Sequence, residues 1–138
     1  MALTVLDAGV VIGLLNADDA HHGAANRALI EARDRGDQIA LPASAYAECL
    51  VYPAQRGEAS IDLVRSFVGR LPLWIVPLDT SIAEGAARLR AAHGARLLLP
   101  DALVVATAIA LDADILVTTD HGWPRRSSLG LRGQLIAI

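Results

Sequence analysis

Short apolar runs alternate with longer stretches of helical periodicity along this chain. Short apolar runs bounded by Asp, Pro or Gly are typical of buried strands; the segments with this pattern are 3–6, 38–41, 73–76, 115–118 and 135–138. Between them, helical patterns cover 10–15, 20–33, 43–52, 60–69, 81–93 and 101–112. Strands that alternate with helices predict right-handed crossovers and a mostly parallel sheet with helices on both faces. We therefore expect a single three-layer α/β/α domain with five strands over residues 1–138.

The predicted helices carry three further signals. Pro53 is expected to end the third helix, because proline removes a backbone donor and clashes with the preceding turn. Ser81 and Glu84 have the spacing of a capping box, which predicts a helix start. The helix over 101–112 is apolar around its whole circumference apart from Thr107. Such a helix is buried on more than one side, here against the sheet and another helix or a second subunit.

Composition excludes several classes of function. All 12 basic residues are arginine, so chemistry that needs a catalytic lysine is excluded. The net charge of −3 gives no global basic field for nucleic acid. The single cysteine, Cys49, forms neither an internal disulfide nor a zinc site, and this is typical of a cytoplasmic protein. The longest nearly apolar stretch, 102–111, is about half of the ~20 residues that a bilayer requires, so we expect no membrane association.

Four acidic residues stand at positions where ligands bind in parallel α/β sheets. Asp7 follows the first strand, Asp120 follows the fourth, Asp101 begins a helix, and Glu48 lies in the helix after the second strand. Each aspartate also has a local explanation: Asp7 as a helix cap, Asp101 as a partner of the helix dipole, and Asp120 as a turn residue. No capping pattern explains Glu48.

Considered together, the four carboxylates predict a cation site. Ligands of open α/β sheets bind beyond the carboxyl ends of the strands, and carboxylates gathered there repel one another unless a cation intervenes. Hard divalent cations such as Mg²⁺ prefer carboxylate oxygens and retained water. Thr118 and Asp120 are two residues apart in extended chain and point to the same side. This arrangement suits metal-assisted phosphoryl transfer.

The order of these elements resembles the PIN domain, and in particular the VapC-type ribonuclease toxins of bacterial toxin–antitoxin pairs. The resemblance covers almost the whole chain, and its most specific parts are Pro100-Asp101-Ala102 and the strand that ends at Thr118-x-Asp120. It implies a Mg²⁺- or Mn²⁺-dependent endoribonuclease that is often dimeric and is restrained by an antitoxin. The acidic metal site that it implies consists of Asp7, Glu48, Asp101 and Asp120, with Asp7 and Asp101 as direct ligands and Thr118 as a supporting hydroxyl.

One departure from the family pattern keeps a second function open. The family usually has hydroxyl or amide residues directly after the first aspartate, where this chain has Ala8 and Gly9. Since groups behind metal ligands tune affinity by about 10–100-fold, we expect looser metal binding, restored by Ser at position 8 or Asn at position 9. The alternative is a PIN module that binds RNA or a protein partner with little or no cleavage.

Two features near Asp120 could contact RNA. Arg125 and Arg126, with Arg132, form the only basic cluster near a predicted site residue, and they either hold RNA phosphates or are solvated loop charges. Trp123 either stacks on a base or packs beneath its loop.

Overall fold

The five predicted strands and six predicted helices are present in the computed structural model, which describes residues 1–138. Most boundaries agree with the predictions to within two residues, and one short helix, α7, is additional. In chain order the elements are β1 (Leu3–Leu6), α1 (Ala8–Leu15), α2 (His22–Asp34), β2 (Gln38–Pro42), α3 (Ala43–Arg56), α4 (Glu58–Arg70), β3 (Trp74–Val76), α5 (Thr80–His93), a 3₁₀ turn (Gly94–Arg96), α6 (Leu99–Ala110), β4 (Ile115–Thr118), α7 (Arg126–Leu129) and β5 (Gln134–Ala137).

All five strands are parallel, in the order β3-β2-β1-β4-β5. The α/β fold class predicted from the sequence is therefore confirmed. The chain moves from β1 outward to β3, and then crosses to the other side of β1 to form β4. This reversal lies between β1 and β4, where Leu6 is opposite Val117. Ligands of such sheets bind at this point, beyond the carboxyl ends of the strands.

Helix α6 is buried on more than one side, as its apolar circumference predicted. It packs along α5 and also contacts α3 and β2. Thr107, its one polar residue after the first turn, is buried and donates a hydrogen bond to the Leu103 carbonyl at 2.7 Å. Ile109 remains 40% exposed. Packing within the chain therefore covers most of this helix. No helix in the structure combines the length and the apolar character that crossing a membrane would need.

One predicted helix end and one predicted helix cap are wrong. Helix α3 continues through Pro53 and ends three residues later at Arg56; the proline therefore shortens the helix less abruptly than its missing backbone donor predicted. The Ser81–Glu84 capping box does not form; instead the Asp79 carboxylate caps α5 by accepting a hydrogen bond from the Ile82 amide at 2.8 Å. Asp is at least as good an N-cap as Ser. The Glu84 side chain is exposed and lies 3.8 Å from Arg88.

Candidate active site

Asp7 is held rigidly at the carboxyl end of β1. Its amide continues the sheet by donating to the Val117 carbonyl at 2.9 Å. One carboxylate oxygen, Oδ1, accepts from the Ala8 amide at 2.8 Å and caps α1. The other, Oδ2, accepts from the Thr118 hydroxyl at 2.8 Å. The predicted capping role is therefore real, and the side chain also faces β4 at the point where the strand order reverses.

Thr118 connects two of the predicted acidic residues. Its hydroxyl donates to Asp7 and accepts from the Asp120 amide at 3.0 Å. The Asp120 carboxylate accepts from the Gly122 amide at 2.7 Å, which is the turn interaction that its sequence context predicted. Asp120 itself is exposed. One buried hydroxyl therefore sets both the orientation of Asp7 and the path of the chain into Asp120.

Asp101 and Glu48 approach the same place from two helices. Asp101 is in the first turn of α6, and burial, followed by the charges of Asp7 and Asp120, raises its pKa to about 6. Glu48 is in the middle of α3, and partial burial, followed by the charges of Asp7 and Asp101, raises its pKa. The structure thus brings together all four acidic residues that the sequence singled out.

The surroundings of these carboxyl groups disfavour their ionised forms. Burial, with a further contribution from Asp120, raises the pKa of Asp7 although Thr118 and the Ala8 amide donate hydrogen bonds to it. No arginine contributes to the pKa of Asp7, Glu48 or Asp101. Even so, no three His, Cys, Asp or Glu side chains approach one another closely enough to form a complete metal cage. The cluster is a group of acidic side chains with no arginine among the charges that act on it.

Gly9 packs closely against the side chain of Thr119. A Cβ atom at position 9 would lie 2.1 Å from the Thr119 hydroxyl oxygen, far inside van der Waals contact. Gly9 is in the first turn of α1 and has no unusual backbone angle. The Thr119 hydroxyl thus occupies the space that a side chain at position 9 would need, so Asn at position 9 would require Thr119 to move. The expected gain in metal binding stays a prediction, and Ser at position 8 avoids this contact. Sequence patterns gave no signal for this contact.

The other residues considered near the site lie in different environments. Arg126 donates to the carbonyls of Arg132 and Gly133 at 3.3 and 3.0 Å, which directs it to the start of β5, at the edge opposite the carboxylates. This placement argues against its predicted contact with RNA at the site. Arg125 is exposed and keeps its predicted role as a hypothesis. Trp123 is buried and so packs beneath its loop instead of presenting a face for base stacking.

Cys49 is a structural neighbour of the acidic cluster. The thiol is buried, and its Sγ donates to the Ala8 carbonyl over 3.8 Å. Burial, followed by the charges of Glu48 and Asp7, raises the pKa of Cys49 to about 12. The residue therefore stays a neutral thiol at physiological pH and is poorly suited to act as a nucleophile or a metal ligand.

A largely apolar groove of about 750 Å³ lies between α1, α3 and α4. Exposed apolar side chains line it, including Tyr52 and Leu63, which are 64% and 72% exposed. Glu48 forms part of its wall, so the groove is continuous with the acidic cluster.

The PIN domain family matches residues 4–129, and the chain therefore belongs to this family. No curated protein matches it closely. Among solved structures, it is similar to a toxin–antitoxin complex from Klebsiella pneumoniae, with 24% identity, a TM-score of 0.64 and 87% of each chain covered. It is also similar to FitAcB from Neisseria gonorrhoeae, with 21% identity, a TM-score of 0.65 and 96% of each chain covered.

A third similar structure is VapC20 from Mycobacterium tuberculosis, described as a Sarcin-Ricin loop cleaving toxin. It shares 17% identity over 82% of this chain and 86% of that chain, with a TM-score of 0.66. At these identities the likenesses establish the fold, and they agree with the sequence resemblance to PIN domains.

Proposed function

We propose that this protein is a divalent-metal-dependent endoribonuclease and the toxin of a toxin–antitoxin pair. The observation that carries the proposal is the convergence of Asp7, Glu48, Asp101 and Asp120 at the point where strand order reverses. PIN domains are generally nucleases, and the similar structures include an RNA-cleaving toxin and toxin–antitoxin complexes.

The residues at this edge fit Mg²⁺ or Mn²⁺. All the donors are carboxylate or hydroxyl oxygens, the ligands that these hard cations prefer. Burial and, after it, neighbouring carboxylates raise the pKa values of Asp7, Glu48 and Asp101, and a bound cation would favour their ionised forms. Mg²⁺ usually keeps several waters and needs only one or two carboxylates, so the lack of a complete cage agrees with such a site. We propose Asp7 and Asp101 as direct ligands, with Asp120 and Glu48 completing the acidic shell.

Each residue then has a distinct task in the reaction. A bound divalent cation would neutralise the pocket, activate water and stabilise the leaving oxygen. Thr118 fixes the Asp7 carboxylate through its 2.8 Å hydrogen bond, and the Ala8 amide holds the second oxygen. Glu48 is the most accessible of the acids whose pKa is raised, so we assign it to accept the proton from the attacking water. Arg125, exposed at the start of α7, is the candidate for an RNA phosphate contact.

The proposed antitoxin would occupy the groove between α1, α3 and α4. Its apolar walls suit the hydrophobic face of a helix, and Glu48 in the wall places the acidic cluster within reach of the same segment. An arginine on that segment would form charge-assisted hydrogen bonds with the carboxylates and exclude a cation. We also propose a homodimer, supported by the exposed apolar side chains of Leu98 before α6 and of Leu99 and Ile109 within it.

A binding module that does not cleave RNA is the second candidate, favoured by the absence of a polar side chain at Ala8 and Gly9. One assay separates the two functions: RNA binding and RNA cleavage are followed in the same reactions, with Mg²⁺ or Mn²⁺ and with EDTA. We expect cleavage that EDTA abolishes and that Asp101→Asn abolishes, while Asp18→Asn, in an exposed loop, leaves it unchanged. Binding without cleavage under every condition would establish the binding module instead.

A further inference from the structure

The indole N–H of Trp123 is buried without a hydrogen-bond partner. Trp123 is only 7% exposed, and its Nε1 is one of two buried side-chain polar atoms in the structure that lack a partner. Buried N–H groups are nearly always paired, because burial removes their hydrogen bonds to water. A buried donor without an acceptor is therefore unusual and requires an explanation.

The acceptor available to this N–H is the Asp101 carboxylate. Trp123 is the one group that lowers the pKa of Asp101, against burial and the charges of Asp7 and Asp120, which raise it. The approach does not meet the geometry of a hydrogen bond, since Nε1 remains unpartnered. The indole N–H therefore lies close to the Asp101 carboxylate without forming a hydrogen bond to it in this structure.

The loop that carries Trp123 is anchored by the candidate site itself. The Asp120 amide donates to the Thr118 hydroxyl at 3.0 Å, and the Gly122 amide donates to the Asp120 carboxylate at 2.7 Å. Trp123 and the following Pro124 are both buried. These hydrogen bonds and the burial of both residues anchor the loop that carries the indole.

We propose that Trp123 is a positioning residue for Asp101: a shift of the two side chains completes a hydrogen bond from the indole N–H to the Asp101 carboxylate, and this bond holds the carboxylate ready to bind a divalent cation. The inference rests on the proposed function in one respect, namely that Asp101 is a cation ligand. Groups that hydrogen-bond to ligating carboxylates fix their orientation, and losing such a group typically costs 10–100-fold in metal affinity. A phenylalanine would fill most of the same space but would supply no donor.

Metal binding to Trp123→Phe tests this role. Mn²⁺ is titrated into the metal-free wild type, Trp123→Phe and Trp74→Phe by isothermal titration calorimetry. Trp74 is the matched control, because it is the only other tryptophan and lies 39% exposed on the edge strand β3. We expect the affinity of Trp123→Phe to be about 10-fold weaker and that of Trp74→Phe to be unchanged. If Trp123→Phe is folded by circular dichroism and binds Mn²⁺ as tightly as the wild type, the indole has a packing role only and the proposal fails.

A second measurement needs neither metal nor cleavage. The indole N–H resonances of Trp74 and Trp123 are recorded by ¹H–¹⁵N NMR in metal-free protein and assigned from the two Phe variants. We expect Asp101→Ala to shift the Trp123 resonance and to leave that of Trp74 in place. An unshifted Trp123 resonance would overturn the proposal. If the wild type binds no divalent cation at all, the proposed function fails, while this resonance still decides whether Trp123 contacts Asp101.

Discussion

Replacing Asp101 by Asn should make the metal-free protein more stable while abolishing its proposed activity. Burial and neighbouring carboxylates raise the pKa of Asp101 to about 6, from an ordinary value of about 3.9. At about 1.4 kcal/mol per pH unit, ionising this group costs the folded state up to about 3 kcal/mol. Asp101 is only partly buried, so solvent screening reduces this cost to roughly half. Asn also loses a favourable charge at the helix N-terminus, about 0.5 kcal/mol. The net expectation is a gain of about 1 kcal/mol.

The stability difference between Asp101→Asn and the wild type should depend on pH in a defined direction. Because the pKa of Asp101 is higher in the folded protein than in the unfolded chain, the folded state binds this proton more tightly. The stability contributed by the protonated group is complete below about pH 4 and is lost as the pH rises through about 6. Asp101→Asn does not undergo this loss. The difference between variant and wild type should therefore be near its full value at pH 7.5 and should shrink on acidification toward pH 4.

Urea denaturation in EDTA, followed by circular dichroism between pH 4 and 7.5, measures this difference as a shift in the unfolding midpoint at constant m-value. Asp18→Asn is the control for a simple loss of charge. Adding Mg²⁺ should make the wild type more stable than Asp101→Asn, since a bound cation stabilises only the protein that binds it. The reasoning is refuted if Asp101→Asn is as stable as the wild type, or less stable, at pH 7.5 without a cation.

Three further predictions concern single contacts. Gly9→Ala should lower the free energy of unfolding by about 1–3 kcal/mol through overpacking against Thr119. Adding Thr119→Gly to this variant should restore most of the lost stability, measured by urea denaturation. Thr118→Val should weaken Mn²⁺ binding by about 10-fold, because Asp7 loses its 2.8 Å donor; unchanged calorimetric affinity would exclude this orienting role. Asp79→Ala should destabilise the protein by about 1 kcal/mol, whereas Ser81→Ala should leave the thermal midpoint unchanged. If Ser81→Ala is the destabilising variant and Asp79→Ala is not, the capping box of Ser81 and Glu84 forms after all.

The sequence predicted the fold because local patterns and topology agree. Each strand is a short apolar run, and each helix except α7 is a longer stretch with a helical or wholly apolar pattern, so the parallel sheet follows from the alternation of elements. The exceptions are the end of α3 and the N-cap of α5, where the sequence offers more than one local structure. Proline in the last turn of α3 is tolerated, and Asp79 rather than Ser81 caps α5.

The acidic residues of the candidate site were also predictable, since a carboxylate at the end of a strand has a limited set of positions in a parallel sheet. The contacts that surround them were not. The Thr119 hydroxyl over Gly9 and the Trp123 indole beside Asp101 join residues far apart in the chain. No local pattern encodes such contacts, because they depend on side-chain directions that only the folded protein defines.

The most direct test of the account is the rate of RNA cleavage as Mg²⁺ is returned to the metal-free protein, measured in parallel for the wild type and Asp7→Asn. Asp7 lies where the strand order reverses, and both of its carboxylate oxygens accept hydrogen bonds. The account predicts cleavage that rises with Mg²⁺ and saturates in the wild type, and none in a folded Asp7→Asn at the same concentrations. Equal cleavage by the two proteins, or cleavage by the wild type that persists in EDTA, would contradict it.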